Sequence, residues 1–186
     1  MAIRDTARRK LTYEDYLLFP DDGLRHEILD GEHYVTNAPS RWHQKAVTNL
    51  VYFFMDLLRR EPALGEVYTG PFEVLFSKHN VALPDLVFVS RERIGILTEK
   101  NIEGAPDLII EVLSRSTRQR DETIKSDIYE SFGVREYWLV DPKLQTVRVF
   151  RETGGRFALS AELSGEDVLT TPLLPGLAIP VRQIFS

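Results

Sequence analysis

The sequence predicts an α+β fold in which a mixed β-sheet is flanked by helices and preceded by an N-terminal β-hairpin. Two short apolar runs, Pro-Asp-Leu-Val-Phe-Val-Ser at 84–90 and Ala-Pro-Asp-Leu-Ile-Ile-Glu-Val-Leu-Ser at 105–114, have the length and side chains of buried strands. Between Ser40 and Arg60, Ala46, Val47, Leu50, Val51, Phe54, Leu57 and Leu58 recur at three- and four-residue spacing, the period of a helix laid on a sheet. Asp30-Gly31 stands between two runs of alternating character, a strong signal for a tight hairpin.

Thr12 with Asp15 three residues on marks a helix start, and Tyr13, Tyr16, Leu17 and Phe19 give two apolar turns before Pro20. The hairpin strand Arg25-His26-Glu27-Ile28-Leu29 carries Glu27, which pattern alone makes a solvent-facing residue. Ser40 can cap the long helix. His43 and Gln44 lie in its first turn, where free N–H groups and the dipole favour an anion, although a histidine there is more often a surface residue. Residues 66–76 read as one or two strands broken at Gly70-Pro71, and 77–80 as a turn. The polar connection 91–103 has the length of a helical turn or a flap. After the second acidic run, Arg115, Arg118 and Arg120 lead into a helix to Phe132, with Ile124, Ile128 and Phe132 as its apolar stripe and Gly133 as its stop. Lys125 stands at the edge of that stripe beside Tyr129, so its removal is expected to leave stability unchanged. Strands follow at 136–141 and 146–151, a last hairpin starts at 157–159, and 173–180 closes the chain irregularly.

At 186 residues and 43% apolar, the chain suits one domain spanning 1–186. No apolar run approaches the roughly 20 residues of a membrane span, and the first ten residues lack the apolar stretch of a secretory signal. A soluble, cytoplasmic protein is expected, with no membrane partner. Zero cysteines exclude disulfides, thiolate metal sites and a cysteine nucleophile, which favours hard cations held by carboxylates over zinc. A net charge of -5 argues mildly against a protein that coats nucleic acid, but not against an enzyme whose acids gather in one site.

The chemistry centres on three acids in apolar strands. Asp107 and Glu111 face one side of their strand but stand roughly 13 Å apart, too far for one ion. Asp85 opens the other strand. An antiparallel pairing sets it beside Glu111, and a parallel pairing sets it beside Asp107. The antiparallel arrangement is the expectation here.

Pro-Asp at 84–85, Asp-Leu-Ile-Ile-Glu-Val-Leu-Ser at 107–114 and Asp-Glu-Thr-Ile-Lys-Ser-Asp-Ile-Tyr-Glu-Ser-Phe-Gly-Val-Arg-Glu-Tyr-Trp-Leu-Val-Asp-Pro at 121–142 together resemble the PD-(D/E)XK nuclease superfamily. They look most like its bacterial restriction-endonuclease branch, in which the catalytic lysine has moved to the following helix. Tyr-Glu-Asp-Tyr, His-Glu-Ile-Leu-Asp-Gly-Glu, Pro-Ser-Arg-Trp-His-Gln and Leu-Pro-Gly-Leu-Ala-Ile-Pro extend the likeness over most of the chain. The resemblance implies a restriction-endonuclease-like core, with Asp85 and Glu111 as ligands of Mg²⁺ or Mn²⁺ and Lys125 as the catalytic cation. The common superfamily pattern puts the lysine two residues after the glutamate, where this chain has Leu113. On spacing alone Lys125 would be a solvated lysine paired with Asp121.

The implied activity is endonucleolytic hydrolysis of phosphodiester bonds in nucleic acid, with DNA favoured, and a homodimer is plausible for cutting two strands. Glu27 is an additional candidate for a second ion or a metal-bound water, His43, Gln44, Asp107 and Tyr129 are further candidates, and Arg115, Arg118 and Arg120 are candidates to grip phosphates. The competing class is a non-catalytic module on the same scaffold that binds nucleic acid or another protein.

Overall fold

The computed structural model describes residues 9–186, so the sequence reading of the first eight residues lies outside the described residues. The elements are α1 (Tyr13–Tyr16), β1 (Arg25–Leu29), β2 (Glu32–Thr36), α2 (Arg41–Arg60), β3 (Gly65–Thr69), β4 (Glu73–Ser77), β5 (Asn80–Ala82), β6 (Leu86–Ser90), a 3-10 helix (Arg91–Ile96), β7 (Asn101–Glu103) and β8 (Leu108–Val112). Then follow α3 (Arg118–Arg120), a π-helical turn (Asp121–Lys125), α4 (Ser126–Ser131), β9 (Glu136–Asp141), β10 (Thr146–Thr153), β11 (Arg156–Ser164), β12 (Val168–Leu169), β13 (Ile179–Pro180) and α5 (Val181–Phe185).

Two main sheets form where one was expected. The larger has six strands in the order β11-β10-β9-β8-β6-β3, and the smaller five in the order β2-β1-β5-β4-β7. Both are mixed: β8 runs parallel to β9 and β4 parallel to β7. The break at Gly70-Pro71 hands the chain from one sheet to the other, since β3 and β4 belong to different sheets. Gly70 packs so closely on the strand entry that a Cβ there would lie 2.7 Å from the Pro84 carbonyl oxygen, and its N–H donates to the Asp85 carbonyl.

The six-stranded sheet is the middle layer. Leu86, Phe88, Leu108, Ile110 and Val112 point to one face, where Ala46, Leu50, Phe54 and Leu57 of α2 and the closing segment from Leu169 to Ile184 cover them. Val87, Val89, Ile109 and Leu113 point to the other face and meet Leu29, Val74, Ala82 and Ile102 of the smaller sheet with Ile128 and Tyr129 of α4. Both runs therefore carry apolar side chains on both sides, interrupted only by their acids and serines, because both faces are covered.

Several elements follow the sequence closely. Ser40 caps α2 by accepting from the His43 N–H. Asp30 and Gly31 take φ of 50° and 78°, the left-handed pair a tight β1–β2 turn requires. Others differ. The first helix is one turn, held by a Thr12–Asp15 capping box, and its tyrosines donate hydroxyl hydrogen bonds to Glu73. Residues 157–159 lie in the second arm of the β10–β11 hairpin rather than opening a new one. The connection after β6 is a 3-10 helix followed by the short β7.

Candidate active site

Strand parity assembles the acids. Glu111 lies between Ile109 and Leu113 in alternation, and Asp85 two residues before Val87, so both turn away from α2 toward the smaller sheet. The antiparallel β6–β8 register, Leu86 opposite Ile110, continues by one residue to put Asp85 beside Glu111. The Val112 N–H donates to Asp85 Oδ2 at 2.9 Å.

From the smaller sheet β1 delivers Arg25 and Glu27 on the face that also carries Leu29. Arg25 donates to Asp85 Oδ1 at 2.8 Å. Glu27 is 2% exposed, which overturns its reading as a solvent-facing residue: both faces of β1 are covered, and the carboxylate is held by the Leu83 N–H at 2.9 Å, Lys125 at 2.8 Å and Arg120 at 3.3 Å. His43, from the first turn of α2, is buried rather than at the surface. It meets Asp85 Oδ2 at 3.0 Å through Nε2. Because the partner is a carboxylate, Nε2 carries the hydrogen, and among the described residues Nδ1 has no partner.

Lys125 occupies the middle of this arrangement. It is 3% exposed, so the solvated-lysine reading fails, and Asp121 at 3.7 Å is its most distant partner beside Glu27 at 2.8 Å and Glu111 at 2.9 Å. Lys125 ends a π-helical turn, one turn before Tyr129 on the inward face. The widened turn leaves Asp121 and Lys125 both facing inward, and the Tyr137 hydroxyl donates to the Asp121 backbone oxygen at 3.0 Å, a side chain inserted at the irregularity. The Tyr129 hydroxyl donates to Glu111 Oε1 at 2.7 Å, the same oxygen that Lys125 reaches.

Arg25, Glu27, His43, Asp85, Glu111, Asp121 and Lys125 line a cleft of about 890 Å³ between the hairpin, the start of α2 and the 113–125 segment. Tyr129 stands behind Glu111 and does not line the cleft, and three further sequence candidates do not enter it. Asp107 is fully buried at the far end of β8, where it accepts from the Ser90 N–H at 2.7 Å and pairs with Arg135 and Arg93 at 3.1 and 3.4 Å. Gln44 is exposed and does not line the cleft. Arg118 is turned away and spent on Asp141 at 2.6 Å and Glu122 at 3.3 Å. Arg115 is exposed on the cleft wall, and Arg120 lies deeper, over the Tyr34 ring and donating to Thr36. Arg25, Arg120 as a partner of Glu27, and Asp121 as a wall of the site were not anticipated in these roles. For Arg25 the signal was partial: it shares a face with Glu27 and apolar Leu29, but alternation does not show that a second layer covers that face.

Burial pushes the Glu111 carboxyl up to about 8 despite Lys125, with Asp121, Asp85 and Glu27 adding to the rise. Burial likewise raises Asp121. Lys125 is disfavoured as an ammonium by burial, but Glu111, Glu27 and Asp121 outweigh that and hold it above its ordinary value. The lysine therefore stays charged, and Glu111 in the metal-free site releases its own proton only near pH 8. Asp85 is driven up by burial yet ends below the usual carboxylate range, because His43, Arg25 and the Val112 N–H all favour the anion.

The donor set fits a hard divalent cation. It consists of the carboxylates of Glu27, Asp85, Glu111 and Asp121 with no thiolate, and Asp121 Oδ1 is buried with no hydrogen-bond partner among the described residues. Among the described residues no three His, Asp or Glu side chains already stand grouped around one point. Side-chain rearrangement would accompany binding.

Comparison with known proteins bears on the fold and the family. No curated protein matches the chain. The fold is similar to the crystal structure of "a putative nuclease belonging to DUF820" from Anabaena variabilis ATCC 29413, with a TM-score of 0.78, 20% identity and coverage of 94% of this chain and 97% of that one. The family Uma2, described as "Putative restriction endonuclease", matches residues 13–182. With nearly its whole length matched, the chain belongs to the Uma2 family.

Proposed function

We propose that the cleft hydrolyses phosphodiester bonds of nucleic acid, DNA foremost, as a metal-dependent endonuclease. The observation that carries this reading is the position of Lys125 Nζ, buried and 2.9 Å from Glu111, whose β8 position faces Asp85 across the ladder. Asp85 and Glu111 would hold Mg²⁺ or Mn²⁺, which supplies Lewis-acid stabilisation of phosphoryl oxygens and a bound water of lowered pKa.

The protein's own groups then have distinct tasks. Lys125, kept charged by its carboxylates, offsets negative charge growing on the phosphoryl group. Glu27 holds the ammonium at 2.8 Å. Tyr129 fixes the Glu111 carboxylate, and Arg25 with His43 fixes that of Asp85. Arg115 and Arg120 supply positive charge on the cleft wall for flanking phosphates. A cytoplasmic homodimer acting as one domain per chain belongs to the same reading.

One observation favours the non-catalytic alternative, a nucleic-acid-binding module. Both oxygens of Asp85 already have protein partners. Nicking of supercoiled plasmid with Mg²⁺, Mn²⁺ or chelator separates the two. The nuclease nicks only with metal, whereas the module binds the plasmid and leaves it supercoiled under every condition.

A further inference from the structure

Trp42 has no structural task that explains it. It stands beside His43 in the first turn of α2, lines the cleft and remains 53% exposed. Its indole N–H makes no hydrogen bond among the described residues, and its one specific contact is the Arg41 guanidinium 4.1 Å from the ring centroid. The neighbouring His43 reaches Asp85 at 3.0 Å, so the indole is one residue along the helix from the carboxylate cluster. A wet tryptophan of this size on a cleft wall is a flat, amphipathic surface open to a second ring. The nearby charges complete a nucleotide's requirements, with Arg115 on the same cleft and Arg41 exposed beside the indole.

Resting on the nuclease reading, we propose that Trp42 is a stacking platform for an unpaired DNA base next to the scissile phosphate, so that the preferred substrate is a single-stranded segment. Bases inside a duplex offer only their edges to a protein, and their faces are covered by neighbouring bases. An indole can stack on a base only after that base has left the duplex stack, or where it was never paired. The cleft volume of about 890 Å³ is that of a pocket for a few rings rather than a trough for a double helix.

The chain has two tryptophans, and Trp138 is fully buried in the core, so a ligand-induced change in emission reports Trp42. The test is a fluorescence titration of the full chain, in chelator, with a short mixed-sequence DNA strand and with the same strand annealed to its complement. The single strand is expected to quench and shift the emission at concentrations at which the duplex does not. In parallel anisotropy measurements Trp42→Ala should bind that strand roughly tenfold more weakly, the scale of one lost base–aromatic stack, with Trp42→Phe recovering most of the loss. Equal quenching by duplex, no binding of either DNA, or parent-like binding by a folded Trp42→Ala protein overturns the proposal. Because nothing is cleaved in chelator, a chain that shows the strand preference yet never cuts with metal refutes the nuclease reading and leaves the stacking platform standing.

Discussion

Lys125 carries more structural weight than its place in the sequence suggests. An edge-of-stripe lysine could be truncated without loss of stability, but this ammonium is 3% exposed and holds Glu27 and Glu111 at hydrogen-bond distance. Lys125→Ala strands two buried carboxylates, so it is expected to cost about 3–5 kcal/mol, read as a lowered midpoint in urea at neutral pH. An unchanged midpoint would mean that water reaches the acids. Asp107 gives the opposite dissociation. Asp107→Ala removes the acceptor for the Ser90 N–H and the partner of Arg135, and should cost a similar ~3–5 kcal/mol while the folded fraction cleaves at the parent rate. Glu111 makes stability depend on pH. Its folded value near 8, against an ordinary 4.5, means that the folded chain keeps a proton that the unfolded chain has released. Stability of the metal-free protein therefore falls as pH rises from about 4.5 to 8, and Asp121 acts in the same direction. Asp85, whose value is lowered, acts only below the carboxylate range. Calorimetric melting across that window should show the decline, and Glu111→Gln should flatten it; a parent curve that is flat or rising would contradict the assignment.

The elements explain which parts of the site were legible. The two apolar runs identified β6 and β8 as strands without fixing their direction, and the antiparallel pairing that was expected is the one found, with Asp85 set beside Glu111. The burial of Glu27 was not legible, because alternation in Arg25–Leu29 identifies a strand but not whether a second layer covers its polar face. The division into two sheets was hidden for a related reason: the Gly70-Pro71 break marks a corner without saying where the chain goes next. The π turn had no sequence signal at all, since Asp121–Lys125 reads as ordinary helix. It is also the element whose removal tells most. Thr123 is the exposed residue of that turn, and deleting it should regularise the helix so that Lys125, one turn before Tyr129, keeps its direction with Ile128 and Tyr129 while Arg120 and Asp121 rotate out of the site. The expected product is a folded protein, by circular dichroism, that cleaves more slowly than the parent. A parent-like rate would show that the inward placement of Asp121 contributes nothing to the site.

At the scale of the whole molecule, the six-stranded sheet is a rigid middle layer with α2 on one face and the smaller sheet on the other, and the cleft opens where β1, α2 and the helix after β8 meet. Each layer contributes charged side chains that would be costly to bury alone: Glu27 and Arg25 from one sheet, Asp85 and Glu111 from the other, His43 and Lys125 from helices on different faces. The resemblance to nucleases lay in a sequence order of weak motifs, and folding converts that order into one constellation. Substrate strandedness was not legible, because it depends on cleft shape and on the exposure of Trp42. The most direct test of the whole account is the initial rate of plasmid nicking by Lys125→Gln and parent protein at matched Mg²⁺, each with its native circular dichroism verified. If the buried lysine is the catalytic cation, the variant loses about a hundredfold or more, the usual scale for a removed transition-state charge partner. A Lys125→Gln rate equal to the parent's would contradict the account.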